Sequence, residues 1–129
     1  MINIGILILR IGVGLPMAGH GLTKFQKREF YEEKWSTKYG FPKSFVLMNA
    51  ALQLFGGLIL LFGIFTQAVS LILFLEMMVA TWLAITKNKE SFLSSPLVKG
   101  WDLNFLFVLG YLALVFFGGG SLSLDGLLR

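Results

Sequence analysis

Two charged residues set inside long apolar runs are the first place to look for chemistry. Arg10 lies about two turns into the first such run, and Glu76 about two and a half turns into the third. Hydrocarbon makes a charge costly to keep, so residues of this kind face a bundle interior and pair with one another or with backbone carbonyls. If both runs are helices starting on the same side, the charges sit at similar depth and an Arg10–Glu76 ion pair is expected. Gln53, near the middle of the second run, is placed to join it. The pair has two readings: it fixes helix register, or it makes the polar contact at the deep end of a ligand cavity.

A second polar group gathers toward one end. On a helix, Arg10, Met17, His20 and Lys24 fall on one broad face, and Asn49 and Gln53 are one turn apart on the next helix. Asp102 and Asn104 open the last apolar run, pointing in nearly opposite directions, so at most one faces the core. His20 reads either as a hydrogen-bonded core imidazole or as a group that donates a proton to a quinone oxygen or binds a carbonyl. Lys24 reads either as an interfacial lysine with a snorkelling stem or as a ligand contact. The candidate ligand-binding set is therefore Arg10, His20, Lys24, Asn49, Gln53, Glu76 and Asp102, with no catalytic residue assigned.

One histidine and no cysteine narrow the chemistry. Disulfides, thiolate redox chemistry, iron–sulfur ligation and Cys-based zinc sites are excluded for this chain, and neither haem nor copper is supported. There is no P-loop, GxGxxG, GxSxG or HExxH motif. No metal site is expected.

The elements that must hold these residues are membrane spans. The chain has 129 residues, of which 56% are hydrophobic and only 14% charged, and a mean hydropathy of +0.77. A soluble domain carries about 25% charged residues. The charges crowd into residues 24–43 and 87–102, the segregation a bilayer imposes. Spans need roughly 20 apolar residues, and four candidates run over about residues 4–22, 45–65, 67–86 and 103–117. The second and third are separated only by a tight turn around Gly63–Gln67. The expected fold is an all-α membrane protein, an antiparallel up-down bundle of four transmembrane helices in a single domain over residues 1–129. Gly5, Gly12 and Gly19 repeat every seven residues, as do Gly14 and Gly21, which invites close helix packing and permits a homodimer. Pro16 should kink the first helix. That helix lacks the basic start and small-residue exit of a signal peptide, so it reads as retained.

Between the first two spans, the connection at about residues 24–43 reads as an interfacial helix. Its Tyr31, Trp35 and Tyr39 recur at i, i+4, i+8 with charges between them. Two readings apply here also: interfacial anchoring, or a lid over a ligand. Orientation follows from the basic residues. Lys24, Lys27, Arg28, Lys34, Lys38 and Lys43, then Lys87, Lys89 and Lys99, flank one side, against Arg129 on the other. The positive-inside rule places residues 23–44 and 87–102 in the cytoplasm and both termini outside, in a multi-pass plasma-membrane protein. The net charge of +4 is then met by anionic lipid headgroups; no nucleic acid is expected.

Several segments, in order along nearly the whole chain, resemble the DoxX family. Leu9-Arg10-Ile11-Gly12-Val13-Gly14 with Ala18-Gly19-His20-Gly21-Leu22-Thr23-Lys24-Phe25 looks like its opening motif. Gly56-Gly57-Leu58 through Gly63-Ile64-Phe65-Thr66 looks like its second helix and turn, and Gly100-Trp101-Asp102-Leu103-Asn104 like its fourth-helix entry. Gly118-Gly119-Gly120-Ser121-Leu122-Ser123-Leu124-Asp125 is similar to its C-terminal signature. The resemblance implies four membrane helices and a redox-associated role. The family is named after a subunit associated with an archaeal thiosulfate:quinone oxidoreductase, and other members are linked to quinone, catechol or thiol stress. This chain departs from the family pattern at Gln53, where many members have an acid, at Gln67, where many have Arg, and at Thr86-Lys87, where a histidine is common. Glu76 reads as the replacement for the lost acid.

The leading expectation is a small membrane subunit that binds a quinone-like or other apolar small molecule between its helices. Arg10, Gln53 and Glu76 would be the deep contacts and His20, Lys24 and Asp102 the mouth. Nothing in the chain carries electrons alone, so catalysis would need the quinone or the cofactor of a redox protein partner. The rivals are a membrane anchor or assembly factor that recruits a partner through its cytoplasmic connection, and a small transporter.

Overall fold

The computed structural model describes residues 1–127 and is helical throughout, with no strand among the described residues. Arg129, counted above in the charge balance, lies outside the described residues. Helix α1 spans Ile2–Gln26, α2 Arg28–Tyr39, α3 Lys43–Phe62, α4 Thr66–Thr86, α5 Asp102–Phe117 and α6 Leu124–Leu127. Three of them (α1, α3 and α4) are long and apolar enough to cross a membrane, and α5 is a shorter apolar helix. With 16 residues, α5 reaches about 24 Å, against a hydrocarbon core of about 30 Å.

Local chemistry sets the ends of these helices. α1 continues through Pro16 and past Leu22, four residues beyond the apolar run, and breaks only at Lys27 (φ −112°, ψ 36°). α2 stops at Gly40, whose φ of 72° suits a residue without Cβ. α3 ends at Phe62 because Gly63 also turns left-handed (φ 72°), its N–H returning to the Ile59 and Leu60 carbonyls. The turn between α3 and α4 is therefore three residues long, Gly63-Ile64-Phe65.

α1 packs mainly on α3, and α4 mainly on α5. Lesser α3–α4 and α1–α5 contacts close the set, and α2 lies against α3. The α1–α3 contact is backbone on backbone. A Cβ on Gly57 would stand 2.5 Å from the Gly14 carbonyl and 2.6 Å from the Ala18 nitrogen, and one on Gly21 2.7 Å from the Ala50 carbonyl. Gly5, Gly12 and Gly19 face open space instead. The two seven-residue stripes start two residues apart if Gly12 is set against Gly14, about 200° round a helix, so only one can meet α3. Met17, Leu60, Leu73, Tyr111 and Leu114 fill the centre, where the Tyr111 hydroxyl donates to the Val13 carbonyl at 2.8 Å. Outside, Ile4, Ile8, Leu15, Leu71, Leu75, Leu106 and Leu109 are exposed. That apolar exterior suits lipid rather than water.

Gly57→Ala should therefore destabilise the protein by about 1–3 kcal/mol, and Gly12→Ala by under about 0.5 kcal/mol. Unfolding in detergent micelles measures both, and equal losses would contradict this assignment of the stripes.

Candidate functional site

At the end of the molecule where α1 finishes and α3 begins, two opposite charges face each other across a pair of amides. The Lys24 ammonium donates to Asn49 Oδ1 at 2.5 Å and to Gln53 Oε1 at 2.9 Å. The same two side chains donate in turn, Asn49 Nδ2 at 2.7 Å and Gln53 Nε2 at 2.9 Å, both to Glu76 Oε1. Asn49 and Gln53 are four apart on α3, so they stack on one face and form two parallel bridges from α1 to α4. The charges orient both amides, since an ammonium needs oxygen and a carboxylate needs N–H. Bonds to ionised groups contribute about 1.5–3 kcal/mol each. Glu76 Oε2 is buried with no hydrogen-bond partner among the described residues.

These residues form one wall of a cavity of 820 Å³. Met17, Leu52, Met77, Ala80, Leu83 and Phe107 supply its apolar lining. The roof is aromatic: Tyr31, Trp35 and Tyr39 of α2, then Phe41 and Phe45. Ring centroids run 6.1 Å from Trp35 to Phe41, 5.4 Å from Tyr39 to Phe41 and 5.3 Å from Phe41 to Phe45. Lys24 Nζ lies 5.1 Å from the centroid of the Trp35 ring, within cation–π range. At the far edge, the Tyr39 hydroxyl donates to Asn88 Oδ1 at 2.9 Å, Asn88 Nδ2 donates to Glu90 Oε2 at 3.1 Å, and Lys99 stands 3.9 Å from Glu90. Apolar walls with a few convergent polar groups are what a small-molecule site requires, and volumes of about 300–1,000 Å³ are usual.

Of the residues singled out by sequence, His20, Lys24, Asn49, Gln53 and Glu76 all line this cavity. His20 is exposed rather than a buried core imidazole, and its ring meets Phe107 edge-on at 6.1 Å. Asn104 lines the cavity and Asp102 does not; Asp102 accepts from the Ser94 hydroxyl at 2.6 Å instead. Arg10 is also absent from the lining.

A family model described as DoxX matches residues 5–86, a stretch that contains Lys24, Asn49, Gln53 and Glu76. The chain belongs to the DoxX family. Over 123 residues it is 30% identical to a Bacillus subtilis (strain 168) protein named "Putative oxidoreductase CatD", covering 95% of this chain and 86% of that one. It is likewise 30% identical over 117 residues to an uncharacterized protein of Haemophilus influenzae, covering 91% and 85% respectively. No solved structure matches it. Family membership and the apolar helices together make this a multi-pass membrane protein.

In this DoxX protein the expected Arg10–Glu76 ion pair does not form. Arg10 is 1% exposed and donates to the carbonyls of Leu60 (3.1 Å), Leu61 (2.8 Å) and Leu122. A helical side chain leans toward its own N-terminus, which carries the guanidinium to the last turn of α3, where carbonyls have no intrahelical partner. Glu76 is held by residues two and three turns earlier on α3. The C-terminal loop completes this second centre. Asp125 accepts from the Phe65 and Thr66 nitrogens, both at 2.8 Å, capping α4 from a distance, and its own N–H donates to the Gly63 carbonyl at 2.9 Å. Sequence reasoning quoted Asp125 only as part of a signature, since a cap donated from 59 residues away leaves no local pattern. It also missed Asn88, Glu90 and Lys99 as cavity residues, and nothing in their spacing marks them.

Arg10→Met should lower stability by on the order of 3 kcal/mol, because the Leu61 and Leu122 carbonyls lose their donor and Leu60 keeps only the Gly63 N–H, while leaving ligand affinity of the folded protein unchanged. Loss of binding at unaltered melting temperature would show that Arg10 belongs to the ligand site.

Proposed function

We propose that this DoxX protein is a small redox-associated membrane subunit that binds a quinone or another apolar ring ligand in the Lys24 cavity. The observation that carries the reading is the Lys24–amide–Glu76 network opening on a cavity lined by aliphatic and aromatic side chains. A ring carbonyl is an acceptor for the ammonium, and the ring itself stacks on aromatic faces. On this reading α5 crosses as a short fourth span and completes an antiparallel bundle in the plasma membrane. The basic connections lie in the cytoplasm and both termini outside, so the cavity opens on the cytoplasmic side. The chain supplies binding and orientation, and electrons reach the ring from the cofactor of a redox protein partner. The relative named as an oxidoreductase agrees with such a role.

The anchor and assembly-factor reading needs the rings of α2 free to meet a partner. That Tyr31, Trp35 and Tyr39 line the cavity supports the ligand reading over it. For a transporter, four spans would require oligomerisation.

Titration of the protein in lipid nanodiscs with short-tailed quinones, with empty nanodiscs as control, should give saturable binding and a raised melting temperature. Lys24→Met should weaken binding by about tenfold or more, the worth of one charge-assisted hydrogen bond. If no quinone binds saturably while Trp35→Ala abolishes co-purification of a partner protein, the anchor reading replaces this one.

A further inference from the structure

The charges of the cavity do not balance. Among the described residues its lining holds three ammonium groups, Lys24, Lys34 and Lys99, and two carboxylates, Glu76 and Glu90. Glu76 is joined to Lys24 through the two amides, and Glu90 stands 3.9 Å from Lys99. Lys34 has neither an ion pair nor a hydrogen bond among the described residues. The carboxylates of its own helix do not serve it: Glu32 is taken by Arg28 at 3.3 Å, and neither Glu29 nor Glu33 lines the cavity. His20 adds a further donor, since its exposed ring meets Phe107 by an edge and makes no hydrogen bond among the described residues. Lys34 and Lys99 both act on Lys24 as like charges. An anion set among them relieves that repulsion, whereas a neutral ring leaves it in place. The apolar part of the cavity has a different outlet. Met48 on α3 and Val79 on α4 line it yet are 65% and 55% exposed, and both lie in helices of span length. That side meets lipid chains, while Lys34 and Lys99 stand on the two connections. Charge at the connections and an apolar gap toward the bilayer is the order of an amphiphile standing in one leaflet.

Resting on the reading of this cavity as a ring-ligand site, we propose that the ring it takes is acidic: an apolar ring with one ionised hydroxyl or carboxyl, its anion held by Lys34 and His20 and its apolar body directed to the gap at Met48 and Val79. Lys34 is the residue that selects the charge, because it is the lining ammonium with no carboxylate of its own. Taking an anion out of water is costly unless a cation and N–H donors replace its hydration, and this rim supplies both. A neutral quinone of the same shape keeps the aromatic contacts and gains nothing from the surplus charge.

Two quinones of nearly equal size separate charge from shape. Lawsone, a hydroxynaphthoquinone, is a vinylogous acid ionised at neutral pH, and its methyl ether cannot ionise. Calorimetry in zwitterionic nanodiscs, with empty nanodiscs subtracted, should show lawsone bound at least about tenfold more tightly than the ether by the wild-type protein. Lys34→Met should cut that preference about fivefold, the worth of one partly screened charge. It should leave the affinity for the ether as it was, and that binding itself reports a folded site. Lys38→Met removes a cation of the same helix that lies outside the lining, and should leave the ratio in place. Equal wild-type affinities, or equal losses in Lys34→Met and Lys38→Met, would overturn charge selection at Lys34 while leaving the cavity a quinone site. If short-chain phosphatidylglycerol binds more tightly than lawsone and depends on Lys34, the anion held there is a lipid phosphate and the acidic ring is overturned. Absence of saturable binding of either quinone to the wild type would overturn both readings.

Discussion

An ammonium and a carboxylate inside an apolar bundle must find their partners within the protein, and here neither finds the other directly. Asn49 and Gln53 stand between Lys24 and Glu76, each presenting oxygen to the cation and N–H to the anion. The arrangement meets both charges with oriented dipoles in a medium where unpaired polar groups are expensive. It also ties three helices to a single register. A slip of one residue in α3 would turn both amides about 100° away from the bridge. The bridge is short because α1 and α3 approach at Gly14, Gly21 and Gly57, where any Cβ would strike opposing backbone.

The other buried charge is met differently, and the contrast divides the molecule. Arg10 turns its two terminal nitrogens to carbonyls at the end of α3 and on the C-terminal loop, and Asp125 caps α4 beside it. That end is a clamp that joins α1, α3, α4 and the loop after α5. The opposite end is open. Its cavity is covered by α2, in which no residue is buried and which is linked onward by the Lys24–Trp35 contact and the Tyr39–Asn88 hydrogen bond. Regions with few buried contacts open at lower free energy than the core. A clamped closed end and a lightly held roof thus stand at opposite ends of the bundle.

α2 itself shows how one pattern can serve two readings. Tyr31, Trp35 and Tyr39 recur every four residues, the spacing of an interfacial belt, and an aromatic belt turned outward would have the same sequence. Their direction depends on the break at Lys27 and the left-handed Gly40, which swing α2 back across the mouth. Ring-to-ring contacts with Phe41 and Phe45 then continue the roof onto the start of α3.

The sequence by itself determined that the chain is helical and membrane-bound, because apolar runs of span length with charges confined to the connections have few other solutions. It also marked most of the cavity's polar residues, since a charge or amide inside such a run is conspicuous. What it could not determine was pairing. Arg10 and Glu76 matched in depth and were opposite in sign, yet depth along an axis says nothing about azimuth or about free carbonyls within reach. Tertiary structure sent Arg10 to the end of α3 and Glu76 to the amides, chose Gly14 and Gly21 over the Gly5–Gly12–Gly19 stripe, and brought Asp125 to α4 across 59 residues. The physical reason is the same in each case. A helical period reports which residues share a face, whereas the partner of that face is set by how the helices pack.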